Sequence, residues 1–169
     1  MSNPIEHHHL LESVDVILST GDFSSLESQR ICVKNMLRDF LGDDAILHHR
    51  FDGAPFLSIP GLNISISHCR KAVAIALSNK RKVGIDVEIW REQLVKVAPR
   101  FLQKNELNEM SSKTTLLRDW TYKEAVFKLL QNYPSPPKTI MDISLNMPKV
   151  AAATSHLNEV TLTVASFSS

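Results

Sequence analysis

The sequence predicts an α+β fold, for three reasons. Apolar residues recur at helical spacing in two long stretches, one in each half of the 169 residues. Short stretches with strand patterns lie near the start, in the middle and at the end of the chain. Each half therefore carries one long helix and some three strands, an arrangement that favours an α+β domain over an all-helical or all-strand one.

The first half begins with a short strand and a helix. Residues 14–18 alternate weakly, which favours a strand. Apolar residues across 26–41 then fall at helical spacing. Asp22 or Ser24 is the expected helix cap, and Gly42 is the expected end, because glycine commonly terminates helices.

The middle of the chain predicts three strands. Residues 62–67, L-N-I-S-I-S, have a period of two, so their apolar and polar side chains lie on opposite faces. Residues 72–77 are apolar on both faces, as in a buried strand. Residues 68–71 would then form the connection between these two strands. The third strand covers 83–89, V-G-I-D-V-E-I.

The second half is helical first and returns to strands at its end. Residues 90–109 are mostly helical in pattern, with a break or a new start at Pro99. Residues 115–130 form the longest uninterrupted helical stretch. Strand patterns follow around 143–145 and again across 160–164.

Composition and charge are those of an ordinary soluble protein. Hydrophobic residues make up 43% and charged residues 22% of the chain, and the net charge is +1. Without a basic excess we expect no nucleic-acid partner, and no apolar run approaches the roughly 18 residues that span a bilayer. Cys32 and Cys69 form no disulfide framework or zinc pattern, and no secretory leader is apparent. We therefore expect a cytoplasmic protein without a membrane partner.

Three adjacent histidines, His7, His8 and His9, lie near the start of the chain. They are compatible with metal binding or with a solvated terminus. We expect the solvated terminus, because three consecutive side chains in regular structure cannot all face one ion.

Asp86 and Glu88 stand two residues apart on the third predicted middle strand. Their carboxylates point to the same face, while Ile85 and Val87 point to the other and can fill the core. Two close carboxylates repel each other unless a cation lies between them. A hard ion such as Mg²⁺ takes one or two carboxylates together with phosphate oxygens and water. The alternative is a strand whose acidic face lies in solvent.

Trp120, Glu124 and Lys128 share one face of the longest predicted helix, at spacings of four residues. In one interpretation Glu124 and Lys128 form a surface pair that contributes only about 0.3–0.5 kcal/mol. In the other, Glu124 reaches a metal ion while Lys128 neutralises a phosphate one turn further on. Ser67 and His68 close a predicted strand, where a histidine can donate to a phosphate or be an ordinary loop residue.

Three short motifs follow one another along the chain: I-S-H at 66–68, G-I-D-V-E at 84–88 and W-T-Y-K-E-A at 120–125. Supporting positions are Arg30 with Arg38, G-A-P-F at 53–56, and the pair Arg100-Phe101. In order and spacing this set resembles the 4'-phosphopantetheinyl transferases of the surfactin-synthetase-activating type. Each motif is short, and the ordered set over about residues 30–128 makes the resemblance specific.

The resemblance implies a transferase that moves the 4'-phosphopantetheine arm of coenzyme A onto a serine of an apo carrier protein and releases 3',5'-ADP. It implies that Asp86, Glu88 and Glu124 hold Mg²⁺ against the pyrophosphate. Glu124 would also be the general base, and Lys128 would stabilise charge on the leaving phosphate. Which acyl, peptidyl or polyketide carrier is modified stays open, as does the choice between Mg²⁺ and Mn²⁺.

Four more residues receive binding roles from the resemblance. Ser67 and His68 would contact the phosphates of coenzyme A, and Arg30 its 3'-phosphate end. Lys123, next to the metal-binding glutamate, would help at the phosphates.

The resemblance also implies two pseudo-symmetric halves, each a small antiparallel sheet packed on a helix, with coenzyme A in the cleft between them. The halves would be residues 1–82, which bind the coenzyme, and 83–169, which carry the metal and catalytic residues, in a monomer. Ala54 stands where the family usually has a lysine, and the chain before Arg30 is short. These departures motivate an alternative, a catalytically impaired member that binds coenzyme A or a carrier protein without turnover.

Overall fold

The computed structural model describes residues 4–131 and 133–168, and this part of the chain is an α+β protein. Its strands are β1 (Ile5–Leu11), β2 (Val14–Thr20), β3 (Leu47–His49), β4 (Pro55–Leu57), β5 (Asn63–Cys69), β6 (Ala72–Ser78), β7 (Val83–Ile89), β8 (Val150–Leu157) and β9 (Val160–Phe167). Its helices are α1 (Leu26–Leu41), α2 (Gln93–Val97), α3 (Lys104–Glu109) and α4 (Lys113–Leu130). Short 3-10 turns follow at Ala98–Arg100 and Ile140–Asp142.

Two antiparallel sheets form the body of the fold. The first has the strand order β1-β2-β6-β5 and the second the order β7-β9-β8, while β3 and β4 pair as a separate hairpin. The strands of the first sheet all lie before Val83, and those of the second all lie from Val83 onward. The change of sheet thus falls where the sequence analysis divides the chain, although one core joins both parts, and the division into two domains stays a prediction.

Alternating side chains give each sheet one face toward the other sheet and one toward a helix. The shared core between the sheets includes Val16 and Ala74 from the first and Ile85 and Val164 from the second. On the outer face of the first sheet, α1 contributes Val33, Met36 and Leu37 to a core with Ile17, Val73, Ile75 and Leu77. The layers therefore run α1, first sheet, second sheet, α4.

Helix α1 has the predicted bounds but not the predicted cap. Its N-cap is Ser25, whose Oγ accepts a hydrogen bond from the backbone N–H of Ser28 at 3.0 Å, so the prediction of Asp22 or Ser24 was wrong. Gly42 ends the helix as expected, with a φ of 89°, a conformation that glycine adopts without a steric penalty.

Helix α4 lies against β7 because Gly84 leaves room for it. A Cβ on Gly84 would stand 2.0 Å from the carbonyl oxygen of Ala125 and 2.7 Å from the backbone nitrogen of Leu129. The helix backbone therefore touches the strand directly. This contact sets how the helix residues meet those of β7.

The two sheets meet at their edge strands, β5 and β7, along a seam closed by side chains. The hydroxyl of Ser65 accepts a hydrogen bond from the backbone N–H of Ile85 at 3.1 Å. The hydroxyl of Ser67 accepts one from the backbone N–H of Val87 at 3.2 Å. The serine hydroxyls thus accept hydrogen bonds from backbone N–H groups of the edge strand β7, and no strand-to-strand backbone pairing is needed for these groups.

Two expectations about secondary structure need correction, and strands β1, β3, β4 and β8 were not predicted. His7, His8 and His9 lie in β1, which pairs with β2, and His7 and His9 are exposed there, in line with the expected solvated segment. His68 belongs to β5 and not to the turn that follows it. Residues 143–145 form no strand; the segment follows a 3-10 turn, and the next strand along the chain is β8. None of the helices in 4–131 and 133–168 has the length and apolar character needed to cross a membrane.

Candidate functional site

The candidate site lies where α4 crosses β7. Gly84, Asp86 and Glu88 alternate onto the face of β7 that meets the helix, and Glu124 and Lys128 project from α4 toward it. The Lys128 ammonium donates to Asp86 Oδ1 at 2.8 Å and to the Ile85 carbonyl oxygen at 3.0 Å. The structure therefore brings Lys128 onto a carboxylate that lies 42 positions earlier in the sequence.

Asp86 is buried, with 5% of its surface exposed, so the alternative of a solvent-facing acidic strand was wrong for this residue. Its Oδ1 accepts hydrogen bonds from both the Ser67 hydroxyl, at 2.7 Å, and the Lys128 ammonium. Its Oδ2 is also buried and has no hydrogen-bond partner among the residues described. An unsatisfied buried oxygen of this kind is costly, and a water molecule or a cation can satisfy it.

Glu88 lies two residues on and is partly buried. Burial raises the pKa of its carboxyl to about 7, and the neighbouring charge of Asp86 acts in the same direction. Arg91 opposes this shift in pKa through an ion pair of 2.8 Å with Glu88. Arg91 was not among the predicted site residues. Its position three residues after Glu88 is the one feature of the sequence that could have indicated this ion pair.

Glu124 completes the acidic group from the helix. The pKa of its carboxyl is raised to about 7, mainly by burial and next by the negative charge of Asp86. Lys128 lowers this pKa, and the charge of Glu88 raises it. The ion pair of Lys128 is with Asp86 rather than the surface pair with Glu124 considered above. Trp120, on the same face, packs edge-on against Phe101 at 4.7 Å and serves the core.

A cavity of about 850 Å³ opens between α1, the β3–β4 hairpin and β5, and the acidic group does not line it. This volume is in the range of cofactor sites. The residues lining it that bear on ligand binding are Gln29, Arg30, Lys34, His49, Gly53, Pro55 and His68. Arg30 and His68 thus lie on one cavity, as predicted residues of a common binding site should.

His68 lines the cavity and is close enough to Lys128 and Asp86 to feel their charges. Burial lowers the pKa of its imidazole, and the nearby charge of Lys128 lowers it further. The ring is therefore mostly neutral at pH 7 and acts as a hydrogen-bond donor or acceptor rather than as a cation.

Ser67 does not have the predicted role of a phosphate contact. Its side chain is buried, its hydroxyl proton goes to Asp86 Oδ1, and its oxygen accepts the N–H of Val87. A hydroxyl has only one proton to donate. Ser67 therefore has none left for a phosphate of the coenzyme.

Lys123 is also misassigned by the sequence analysis. Its side chain is 0% exposed, and its ammonium bonds to Glu106 Oε2 at 2.6 Å and to the Ile143 carbonyl oxygen. Glu106 is further held by the backbone N–H groups of Gln103 and Leu145. Lys123 therefore ties α3 and the following tail to α4 and is out of reach of a phosphate.

The residues present fit a magnesium ion whose remaining ligands come from substrate and water. Asp86, Glu88 and Glu124 supply the hard oxygen donors that Mg²⁺ prefers, and Asp86 Oδ2 is available. Within 4–131 and 133–168, no three acidic, histidine or cysteine side chains converge into a ready-made metal cage. Mg²⁺ usually keeps several waters and binds through one or two carboxylates plus phosphates, so a cage is not required.

Comparison with known proteins adds no family to this picture. No protein-family model matches the chain, and no curated protein matches it.

Proposed function

We propose that this chain transfers 4'-phosphopantetheine from coenzyme A to a serine of an apo carrier protein. The proposal rests on one observation: His68 is close to two features of the structure at once. One is the group of Asp86, Glu88, Glu124 and Lys128 at the crossing of α4 and β7. The other is the cavity that Arg30 and His68 both line.

The reaction that these features support is phosphoryl transfer. The carrier serine oxygen attacks the β-phosphorus of the pyrophosphate, the bond from that phosphorus to the bridging oxygen breaks, and 3',5'-ADP leaves. Such transfer depends mainly on positioning and on neutralising charge. A magnesium ion held by Asp86, Glu88 and Glu124 would supply positive charge at the pyrophosphate.

The protein's own residues would do the remaining work. Glu124 would accept the proton of the carrier serine, directly or through water. Lys128 would balance the charge that builds on the leaving phosphate. Arg30 and His68 would bind and orient coenzyme A from the wall of the cavity, at its 3'-phosphate end and its phosphates respectively.

Partner, location and assembly belong to the same proposal. The partner is an apo acyl, peptidyl or polyketide carrier, with no nucleic acid or membrane involved, and the protein works as a cytoplasmic monomer of the holo-[acyl-carrier-protein] synthase type. The two-halved transferase fold is proposed on the matching layers of helix and sheet on either side of the shared core.

A second candidate is a catalytically impaired relative that binds coenzyme A or a carrier protein. The observation in its favour is that two expected phosphate contacts, Ser67 and Lys123, are engaged inside the protein. Ala54, which stands in place of a lysine, is buried as well. The grouped carboxylates around Lys128 favour the active enzyme, because a pure binder of an anionic coenzyme gains nothing from three acidic side chains.

The deciding experiment is intact mass spectrometry of apo acyl carrier protein incubated with this protein, coenzyme A and Mg²⁺. A gain of about 340 Da, the phosphopantetheinyl increment of this transfer, that EDTA abolishes supports the proposal. Asp86→Asn should abolish the gain, whereas Asp39→Asn, at a half-exposed carboxylate paired with Arg38, should not. No gain with acyl or peptidyl carriers, together with measurable coenzyme A binding, would favour the impaired relative.

A further inference from the structure

Two serines of β5 make the same kind of contact across the seam. Ser65 and Ser67 are each 5% exposed, and each hydroxyl oxygen accepts one backbone N–H of β7. Their contacts with the backbone of β7 are therefore equivalent. Any further role of one of them should appear as a difference between the two.

The difference lies in where the hydroxyl proton goes. The Ser67 hydroxyl donates to Asp86 Oδ1 at 2.7 Å. Lys128 donates to that same oxygen from the other side of the site, on α4. One carboxylate oxygen is thus held by two donors on separate elements, which fixes the rotation of the group.

Neither donor bonds to the second oxygen, Asp86 Oδ2. In the part of the chain that is described, this buried oxygen has no partner. A carboxylate with one oxygen tied and the other free is arranged to accept a ligand at the free oxygen. The outer partners that orient a metal-binding carboxylate in this manner normally strengthen metal binding.

We propose that Ser67 is a positioning residue that presents Asp86 Oδ2 to a hard divalent cation. This inference rests on the metal site of the proposed function. It replaces the phosphate contact expected of Ser67 with an action through Asp86. Lys128 alone would leave the carboxylate free to turn its second oxygen toward the ammonium.

The test compares Ser67→Ala with Ser65→Ala, the matched control from the same seam. Binding of Mn²⁺ alone is followed by the loss of its free-ion electron paramagnetic resonance signal, with Mg²⁺ as competitor and without coenzyme or carrier. Ser67→Ala is expected to weaken Mn²⁺ binding by about 10–100-fold. Ser65→Ala is expected to bind like the unmodified protein. Both variants lower the urea midpoint, and Ser67→Ala lowers it more because it also removes the hydrogen bond to Asp86.

Three further variants protect the test against failed folding. Ser67→Thr keeps the hydroxyl and is expected to restore Mn²⁺ affinity. Ser67→Cys and Ser65→Cys preserve side-chain size but have a weak S–H donor, and only the first should lose affinity. Equal Mn²⁺ affinity in the Ser65 and Ser67 variants, or no Mn²⁺ binding by the unmodified protein, would overturn the inference.

The outcomes for Ser67 and for the proposed function are separable. A protein that shows the expected pattern of Mn²⁺ binding but modifies no carrier supports the role of Ser67 and contradicts the transferase. A protein that modifies a carrier while Ser67→Ala binds Mn²⁺ normally supports the transferase and overturns the role of Ser67.

Discussion

Gly84→Ala tests the contact on which the geometry of the site depends. A Cβ at this position would stand 2.0 Å from the Ala125 carbonyl oxygen, 2.7 Å from the Leu129 nitrogen and 3.0 Å from the Leu129 Cβ. The two nearest atoms are backbone, so no change of rotamer can relieve the overlap. Helix α4 has to withdraw from β7 by on the order of 1 Å, because packed interiors hold few voids that could absorb the methyl group.

The expected cost follows from these distances. Extra methyl groups in a packed core typically cost about 1–3 kcal/mol, and a clash with backbone belongs at the upper end. Replacing glycine by alanine in a strand returns about 0.5–1 kcal/mol through the unfolded state. We therefore expect Gly84→Ala to lower the free energy of unfolding by about 2 kcal/mol.

The same displacement is expected to reduce activity. Glu124 and Lys128 move with α4, so the 2.8 Å contact between the Lys128 ammonium and Asp86 lengthens. A misplacement of about 1 Å in an active site can lower the rate by about 10²-fold. We expect a loss of that order in carrier modification under conditions in which the variant remains folded.

Urea unfolding followed by far-ultraviolet circular dichroism measures the stability, and initial rates of carrier mass gain measure the activity. The control is Ala152→Val, which adds bulk at an exposed position of β8 in the same sheet and should change stability by less than about 0.5 kcal/mol. A Gly84→Ala protein as stable as the control would show that α4 does not lie against β7 as described.

Three further substitutions separate structural from catalytic and binding roles. Lys123→Met is expected to lower the free energy of unfolding by about 3–5 kcal/mol in urea, because it leaves the buried carboxylate of Glu106 without its cation, and a titration should show unchanged affinity for coenzyme A. Glu124→Gln is expected to slow transfer by about 10²-fold or more, as for loss of a general base, with circular dichroism unchanged. Arg30→Ala is expected to weaken coenzyme A binding by about tenfold or more, because a hydrogen bond to a charged group contributes about 1.5–3 kcal/mol. Arg38→Ala, two turns later on α1 and off the cavity wall, should bind coenzyme A normally in the same calorimetric titration.

Each of these expectations has a clear contrary result. A stable Lys123→Met protein with weakened coenzyme A binding would show that Lys123 contacts the phosphates of the coenzyme. Normal turnover by the Glu124→Gln variant would show that Glu124 is not the general base. Equal affinity of the Arg30→Ala and Arg38→Ala variants for coenzyme A would show that the cavity does not bind the coenzyme.

Strong periodicity made parts of the fold predictable from sequence. Helix α1 has the predicted bounds, and β7 does too, because their apolar residues recur at unambiguous spacing. Strand β1 was missed because its histidines and glutamate give an edge strand with a largely exposed surface. Strand β8 was missed because small alanines and polar residues dominate it, and its pairing with β9 supplies what its own pattern lacks.

The sequence predicts the site only where a single strand or helix determines the positions of its side chains. Asp86 and Glu88 alternate onto one face of a strand, so the sequence places them together. The roles of Ser67 and Lys123 depend on partners 19 and 17 positions away in the chain. No local pattern distinguishes a lysine that reaches a ligand from one that neutralises a buried glutamate, because the same charge serves both purposes.

The site and the joining of the sheets share the same contacts. Ser67 comes from the first sheet and Asp86 from the second, and their hydrogen bond is part of the seam. The cavity is lined from α1 and β5, whereas the carboxylates come from β7 and α4. A cation bound at Asp86 would therefore favour the state in which the seam is closed, since a ligand stabilises whichever form binds it. Metal binding and the docking of the two sheets are for this reason expected to reinforce each other.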